Sequence, residues 1–288
     1  MERAPRLFLS VDVEEWFTST KVAAFKNDRD FRKDSDIFET TTAILDSFKR
    51  AGMVGSFFFI REIAERHPEL VERMKSEGHE IALHGENHEH LSRVTDDDFK
   101  AMLARSQEFF GKRFGVKLAG YRAPYFSMND DKLAVLKASG LSYDTSVVPC
   151  LPIPGWYGSW RAPLTPYRIG NELDSSDPKG EFLEFPMSVH PTLRIPGLGG
   201  YYFRNLGLGW STHILRSCLA KLGYCMFYIH PWELSDKLPK DVGMPFYMSR
   251  RAGSWTREAL DRLLAAAKEV EGLKTTTLSA YLREQAAR

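Results

Sequence analysis

Three features of this 288-residue sequence predict a single α/β domain with a parallel sheet covered by helices. Short apolar runs alternate with amphipathic stretches of roughly a dozen residues or more, the strand–helix–strand rhythm of right-handed βαβ units. No composition break, internal repeat or low-complexity tract marks a second domain. Ionisable residues gather directly after the apolar runs, where parallel α/β folds place their sites. An open doubly wound sheet and a closed barrel both satisfy the rhythm, and periodicity does not choose between them.

The elements follow in order. Residues 7–13 read as a buried strand, and 37–50 as a helix with apolar positions Ile37, Phe38, Ile44, Leu45 and Phe48, stopped by Gly52. Residues 54–60 (VGSFFFI) give a second strand, 61–76 return to helical spacing, and 80–83 give a third strand. Thr95 with Asp98 three residues on resembles a capping box and opens a helix through Phe109 and Phe110. A strand at 118–121 and a helix at 130–138 continue the pattern. The rhythm then fails over approximately 149–203, a stretch rich in Pro, Gly and aromatics with one strand expected at 182–188. Long irregular segments in compact domains are usually functional loops. A helix at 211–222, a strand at 224–229 and helices at 256–268 and 279–285 complete a domain spanning 1–288.

Composition narrows the function classes. With 43% hydrophobic and 27% charged residues the chain is an ordinary globular one. Thirty-nine Lys+Arg against 38 Asp+Glu leave a net charge of +1, so no global field favours nucleic acid or an anionic membrane. No run of 18 apolar residues exists to span a bilayer, and the apolar stretch at 7–13 is too short for a signal-peptide core. Cys150, Cys218 and Cys225 are an odd set without CxxC spacing, which argues against a disulfide scaffold or thiolate zinc site. Reduced thiols fit a cytoplasmic address.

Four clusters carry chemistry. In Ser10-Val-Asp-Val-Glu-Glu-Trp, strand alternation puts Asp12 and Glu14 on one face, where two carboxylates ionise together only around a cation or with one carrying a proton. A surface acidic turn reads equally well from this motif alone. His84-Gly-Glu-Asn-His88 follows the third strand, and histidines four apart share a face if the chain turns helical there. His90 would then point elsewhere. Two histidines and one carboxylate with an open position make a catalytic metal site, with Asp12 as the base for its water. In Gly120-Tyr-Arg-Ala-Pro-Tyr125, Arg122 can pair with Asp12, Pro124 fixes a turn, and the Tyr125 N–H can face an oxyanion; a structural salt bridge is the plainer alternative. His230, in Tyr228-Ile-His-Pro-Trp-Glu233, is placed to be a general acid or a structural strand cap.

Taken together, these four motifs in this order resemble the polysaccharide deacetylase family, carbohydrate esterase family 4, with its Nod-factor deacetylase homology domain. The resemblance runs from the first strand to His230. It implies a distorted (β/α) barrel, usually of seven strands, and hydrolysis of the N-acetyl group of an amino sugar. By the same matching Asp12 is the catalytic base, Glu14, His84 and His88 hold one divalent ion, Arg122 orients the base, and His230 is the acid. The common family pattern has adjacent aspartates, whereas this chain has Asp-Val-Glu, which leaves Glu15 as a rival ligand. The VDVEEWF and HPWE motifs, with Gly199-Gly-Tyr-Tyr-Phe-Arg204, resemble a subgroup tied to exopolysaccharide and lipid-linked sugar pathways. Asp144 resembles a recurrent family Tyr-Asp-Ser segment with a supporting or capping role, and Glu184 could reach the pocket.

Zinc suits this ligand set, and cobalt, nickel, manganese or iron(II) would bind similar ligands. The substrate expected is an amino-sugar glycan or its lipid-linked or nucleotide-linked precursor. Trp156, Tyr157, Trp160, Tyr201, Tyr202 and Phe203 could form its stacking rim or a mini-core within the insert. Two other readings remain: an amidohydrolase or deformylase of the same fold acting on a non-sugar amide or cyclic imide, and an inactive carbohydrate-binding protein. The last would be expected to lack a ligand or the base.

Overall fold

The computed structural model describes residues 4–18, 31–154, 156–239 and 242–287. Its strands are β1 (Arg6–Val13), β2 (Gly55–Phe59), β3 (Glu80–Leu83), β4 (Gly120–Tyr121), β5 (Tyr143–Asp144), β6 (Tyr167–Arg168), β7 (Leu183–Glu184), β8 (Tyr224–Ile229) and β9 (Lys274–Thr275). They form one sheet in the order β6-β7-β5-β4-β3-β2-β1-β8, with β9 added at the start of β1. From β7 to β8 every neighbouring pair is parallel, and β6 runs antiparallel at the edge. The seven-stranded expectation is met, but closure is not by strand pairing. Between β7 and β8 the loop at 186–188 spans the gap: Tyr224 Oη donates to Pro186 O at 2.7 Å, and the Met226 N–H to Ser188 Oγ at 2.7 Å. The fold is thus a curled, distorted (β/α) barrel.

Ten described helices cover it: α1 (Ile37–Ala51), α2 (Arg61–Arg66), α3 (Pro68–Ser76), α4 (Asp96–Phe114), α5 (Asp130–Lys137), α6 (Gly200–Leu206), α7 (Leu208–Leu222), α8 (Phe246–Ser249), α9 (Ser254–Lys268) and α10 (Leu278–Ala286). Ile37, Ile44, Leu45 and Phe48 of α1 are buried as their spacing demands, and Gly52 ends the helix at φ 66°. Thr95 caps α4 by accepting from the Asp98 N–H at 3.1 Å and donating to Asp98 Oδ2 at 2.7 Å. The helix expected over 61–76 is two, because Pro68 has no N–H to continue one and starts another instead.

Strand alternation sorts the sheet into two layers. Leu7, Leu9, Val11 and Val13 of β1 face the helices, together with Phe57 and Phe59 of β2 and Phe227 and Ile229 of β8. Phe8, Phe58, Ala82, Tyr143, Met226 and Tyr228 fill the inner side of the curl. Ser10 and Asp12 continue the row of Phe8, so the inner face turns polar toward the C-terminal ends of the strands.

The stretch at 149–203 holds more order than expected at its end. The strand expected at 182–188 is only Leu183–Glu184, and Gly200–Leu206, read as irregular, is helical. Glu184 stands beside Asp144 in register, both fully buried. Its Oε1 accepts from the Val147 N–H at 3.0 Å, and Asp144 accepts from Ser146 Oγ at 2.8 Å. Burial raises the Asp144 carboxyl to about 6, and burial plus the Asp144 charge pushes Glu184 up as well.

Because both pKa values are raised on folding, this pair stabilises the fold fully below about pH 4 and loses that contribution as pH rises through about 6. Glu184→Gln should therefore gain in denaturation midpoint relative to wild type between about pH 5 and about pH 8. A pH-independent difference between the two proteins would contradict the pairing.

Candidate metal centre and active site

Each candidate side chain stands at the C-terminal end of a strand: Asp12 and Glu14 at β1, His84 after β3, Arg122 after β4 and His230 after β8. Asp12 and Arg122 are buried, and Arg122 Nη1 donates to Asp12 Oδ1 at 2.5 Å. The guanidinium is itself held, with Nη2 on Ser10 Oγ at 3.0 Å and Nε on Thr145 O at 3.2 Å. Its carbon lies 4.2 Å from the centre of the Phe58 ring. Removing either partner would leave an uncompensated buried charge, at about 3–5 kcal/mol.

Donor atoms of Glu14, His84 and His88 lie within 4.8 Å of one another. Glu14 Oε2 is 3.4 Å from His84 Nε2 and in closer contact with His88 Nε2, while Trp232 Nε1 donates to Oε1 at 3.3 Å. His84 Nδ1 donates to the Arg122 carbonyl at 2.8 Å, which turns Nε2 toward Glu14. Burial would raise the Glu14 carboxyl, but His88 and His230 overrule it and hold it well below the usual carboxylate range.

The two histidines do not meet on a helical turn. Residues 84–88 form a loop in which Gly85 (φ 91°) and His88 (φ 59°) are left-handed. Arg61 Nη1 and Arg105 Nη2 anchor that loop on Glu86 at 2.5 and 2.7 Å, and the Gly85 carbonyl accepts from the Arg61 N–H at 2.9 Å. The two side chains do come together, ring centroids 5.1 Å apart, but through this loop and not through the helical turn that the spacing suggested. Glu15 turns away from the histidines, accepting from Ser35 Oγ at 2.7 Å and Arg66 Nη2 at 2.8 Å.

His230 closes the other side. Its Nε2 lies 3.5 Å from Glu14 Oε1 and 3.9 Å from Asp12 Oδ2, and its Nδ1 lies 3.1 Å from Glu233 Oε2. Burial would lower this imidazole, but the charges of Glu14, Glu233 and Asp12 together raise it to about 9. Tyr125 sits in a turn at φ 59°, its hydroxyl donating to Thr18 O at 2.6 Å. Its ring lies edge-on to His88 and stacks with His90 at 5.7 Å. His90 therefore shares the site, contrary to expectation.

These groups line a cavity of about 200 Å³ whose wall includes Trp156, Tyr201 and Tyr247. A larger hollow of about 1110 Å³ lies at the N-terminal ends of the strands, around Arg6, Phe8 and Tyr281, and shares no residue with it. The insert aromatics divide: Trp156 and Tyr201 face the cavity, Tyr157 and Tyr202 join hydroxyls at 2.8 Å, Phe203 is core and Trp160 is exposed. Asp144 and Glu184 lie outside the cavity lining, so Glu184 does not reach it. Arg204, Trp232 and Glu233 do line it and were missed, although the GGYYFR and HPWE motifs contained them.

A curled parallel sheet with a buried carboxylate–imidazole cluster at its C-terminal rim defines the class of fold. Residues 33–143 match the family model described as polysaccharide deacetylase, and residues 145–279 match a domain of unknown function, DUF3473. The polysaccharide deacetylase match therefore covers less than half of this chain, from before α1 into β5. A peptidoglycan-N-acetylglucosamine deacetylase of Bacillus cereus is 30% identical over 100 residues, 35% of this chain and 36% of that protein. A chitooligosaccharide deacetylase of Bradyrhizobium is 30% identical over 103 residues, 35% of this chain and 47% of that protein. The matched regions thus span less than half the length of either relative. Among solved structures, a family 4 carbohydrate esterase from Streptomyces lividans in complex with acetate superposes with TM-score 0.53 at 14% identity, covering 94% of this chain and 91% of that one. An allantoinase superposes with TM-score 0.68 at 15% identity, over 98% and 90% of the two chains. At such identities these two likenesses report the fold.

The Gly200 backbone passes directly against the Glu233 carboxylate, where a Cβ would overlap it. Gly200→Ala should destabilise by about 1–3 kcal/mol and lower the melting temperature by several degrees. An unchanged thermal midpoint would show that this contact is not tight.

Proposed function

We propose that the protein is a metal-dependent N-deacetylase that removes the N-acetyl group of an amino sugar in a polysaccharide or a lipid-linked or nucleotide-linked glycan precursor. The observation that carries this reading is the convergence on one cavity of Asp12 clamped by Arg122, the Glu14–His84–His88 cluster and His230. The polysaccharide deacetylase match over residues 33–143 supports it, as do relatives whose names specify amino-sugar deacetylation.

The donor set fits a divalent ion. Three converging donors include one carboxylate held ionised and two imidazoles, one with its Nε2 turned inward by a carbonyl. Glu14, His84 and His88 would hold the ion, with zinc the best match to their chemistry. When bound, it would supply Lewis-acid polarisation of the amide and a lowered pKa for water at the site.

Chain residues perform the rest. Arg122 occupies one Asp12 oxygen and leaves Oδ2 to accept the proton of the attacking water. The Tyr125 N–H is assigned to the carbonyl oxygen as it gains charge. His230 delivers its proton through Nε2 to the departing amine. Trp156, Tyr201 and Tyr247 offer flat faces to a sugar ring. The VDVEEWF and HPWE variant belongs to the same reading, since Glu14 and Glu233 are its distinctive carboxylates. One catalytic domain over 1–288 accounts for both matched stretches, because each lends residues to this cavity. Buried free thiols at Cys150, Cys218 and Cys225 suit a reducing, cytoplasmic setting, and no described helix is long and apolar enough to cross a membrane.

Acetate release from N-acetylglucosamine oligomers and from nucleotide-linked or lipid-linked N-acetyl sugars tests the activity; none from any of them with metal supplied would refute it. Glu14→Gln and His88→Ala should lower bound metal well below one equivalent by elemental analysis, whereas Glu15→Gln should keep the metal and lose stability. Full stoichiometry in His88→Ala would overturn the ligand set. Asp12→Asn should retain metal while kcat falls by about 10²–10⁴-fold; near-wild-type turnover would remove Asp12 as the base.

A further inference from the structure

We propose that Arg204 is a positioning residue for His230, acting through Glu233, and that the stretch of unknown function thereby completes the acid side of the site. The inference rests on the reading of His230 as the acid. Among the described residues, Arg122 and Arg204 are the largest fully buried side chains. Arg122 serves Asp12; the structure gives Arg204 a matching place on the opposite side.

Arg204 Nε donates to Glu233 Oε1 at 2.8 Å, with both side chains fully buried. Its Nη1 donates to the Met248 and Arg250 carbonyls, each at 2.7 Å, which fixes the guanidinium independently of Glu233. With Oε1 so occupied, Glu233 presents Oε2 to the His230 backbone N–H at 3.0 Å and to its Nδ1 at 3.1 Å. One oxygen therefore holds both the backbone and the ring of His230. Stacked on Trp232 at 5.5 Å and edge-on to Tyr228 at 5.4 Å, the ring points Nε2 toward Asp12 and Glu14. Arg204 rides on α6, whose first residue, Gly200, leaves room for the Glu233 carboxylate. A pair serving only to fasten α6 would not need to place a carboxylate oxygen on the ring of His230.

The test compares two acetyl substrates: an N-acetylglucosamine oligomer, whose amine must be protonated to leave, and 4-nitrophenyl acetate, whose phenolate leaves without a proton. Arg204→Met should lower kcat on the amide by roughly tenfold to a hundredfold and lower the amide-to-ester rate ratio by a similar factor, with KM little changed. Arg204→Lys should restore part of the ratio. Because Arg204→Met strands a buried carboxylate, the double variant Arg204→Met, Glu233→Met is included; it should recover thermal stability without recovering the ratio. In crystals of metal-free Arg204→Met the His230 ring should leave its present place. A wild-type ratio in Arg204→Met, beside a low one in His230→Ala, overturns this proposal alone. A wild-type ratio in His230→Ala overturns the acid assignment beneath it.

Discussion

A carboxylate carried into the protein interior must meet a fixed positive charge, and the pairing of Asp12 with Arg122 answers that demand at the end of the central strand. Much of the site depends on it. Arg122 follows β4, which reaches β1 only across β3 and β2, so the ion pair requires the sheet to curl. The same arginine offers its carbonyl to His84 Nδ1, so the residue that restrains the proposed base also aims one of the proposed metal ligands. The opposing side repeats the device with Arg204 and Glu233. Two buried arginines bracket the cavity, and each hands a defined atom toward its centre.

Glu14 is the point where the sides meet. It touches His84, His88, His230 and Trp232, and its negative charge is what the surrounding imidazoles stabilise. Without a cation, the same charge raises His230 to about 9. A cation held on Glu14, as proposed, would compete with His230 for that charge.

The sheet, and the convergence of the candidate residues at its rim, were largely legible because they obey local rules. Alternation placed Asp12 in the inner row of β1, and hydrophobic runs located β1, β2, β3 and β8 to within a residue or so at each end. What was illegible depends on distant contacts. Glu14 and Glu15 are neighbours in sequence, and only Arg66, far along the chain, shows which one turns away. The His84–His88 loop depends on left-handed residues anchored through Glu86, which spacing cannot reveal. Strands β4, β5 and β7 are two residues each, too short to carry a period. The Arg204–Glu233 pair joins residues 29 apart on two motifs that gave no sign of meeting. Region 145–279 is best understood as part of the same barrel, since it supplies β8, His230 and much of the cavity wall.

Glu14, His84 and His88 are proposed to gather around a divalent cation beside Asp12 and His230. Anomalous diffraction from crystals soaked in zinc tests this most directly. One strong peak should appear in the cavity, bonded to Glu14, His84 and His88, with Glu15 still on Arg66. A peak on Glu15 or elsewhere, or no peak at saturating zinc, would contradict it.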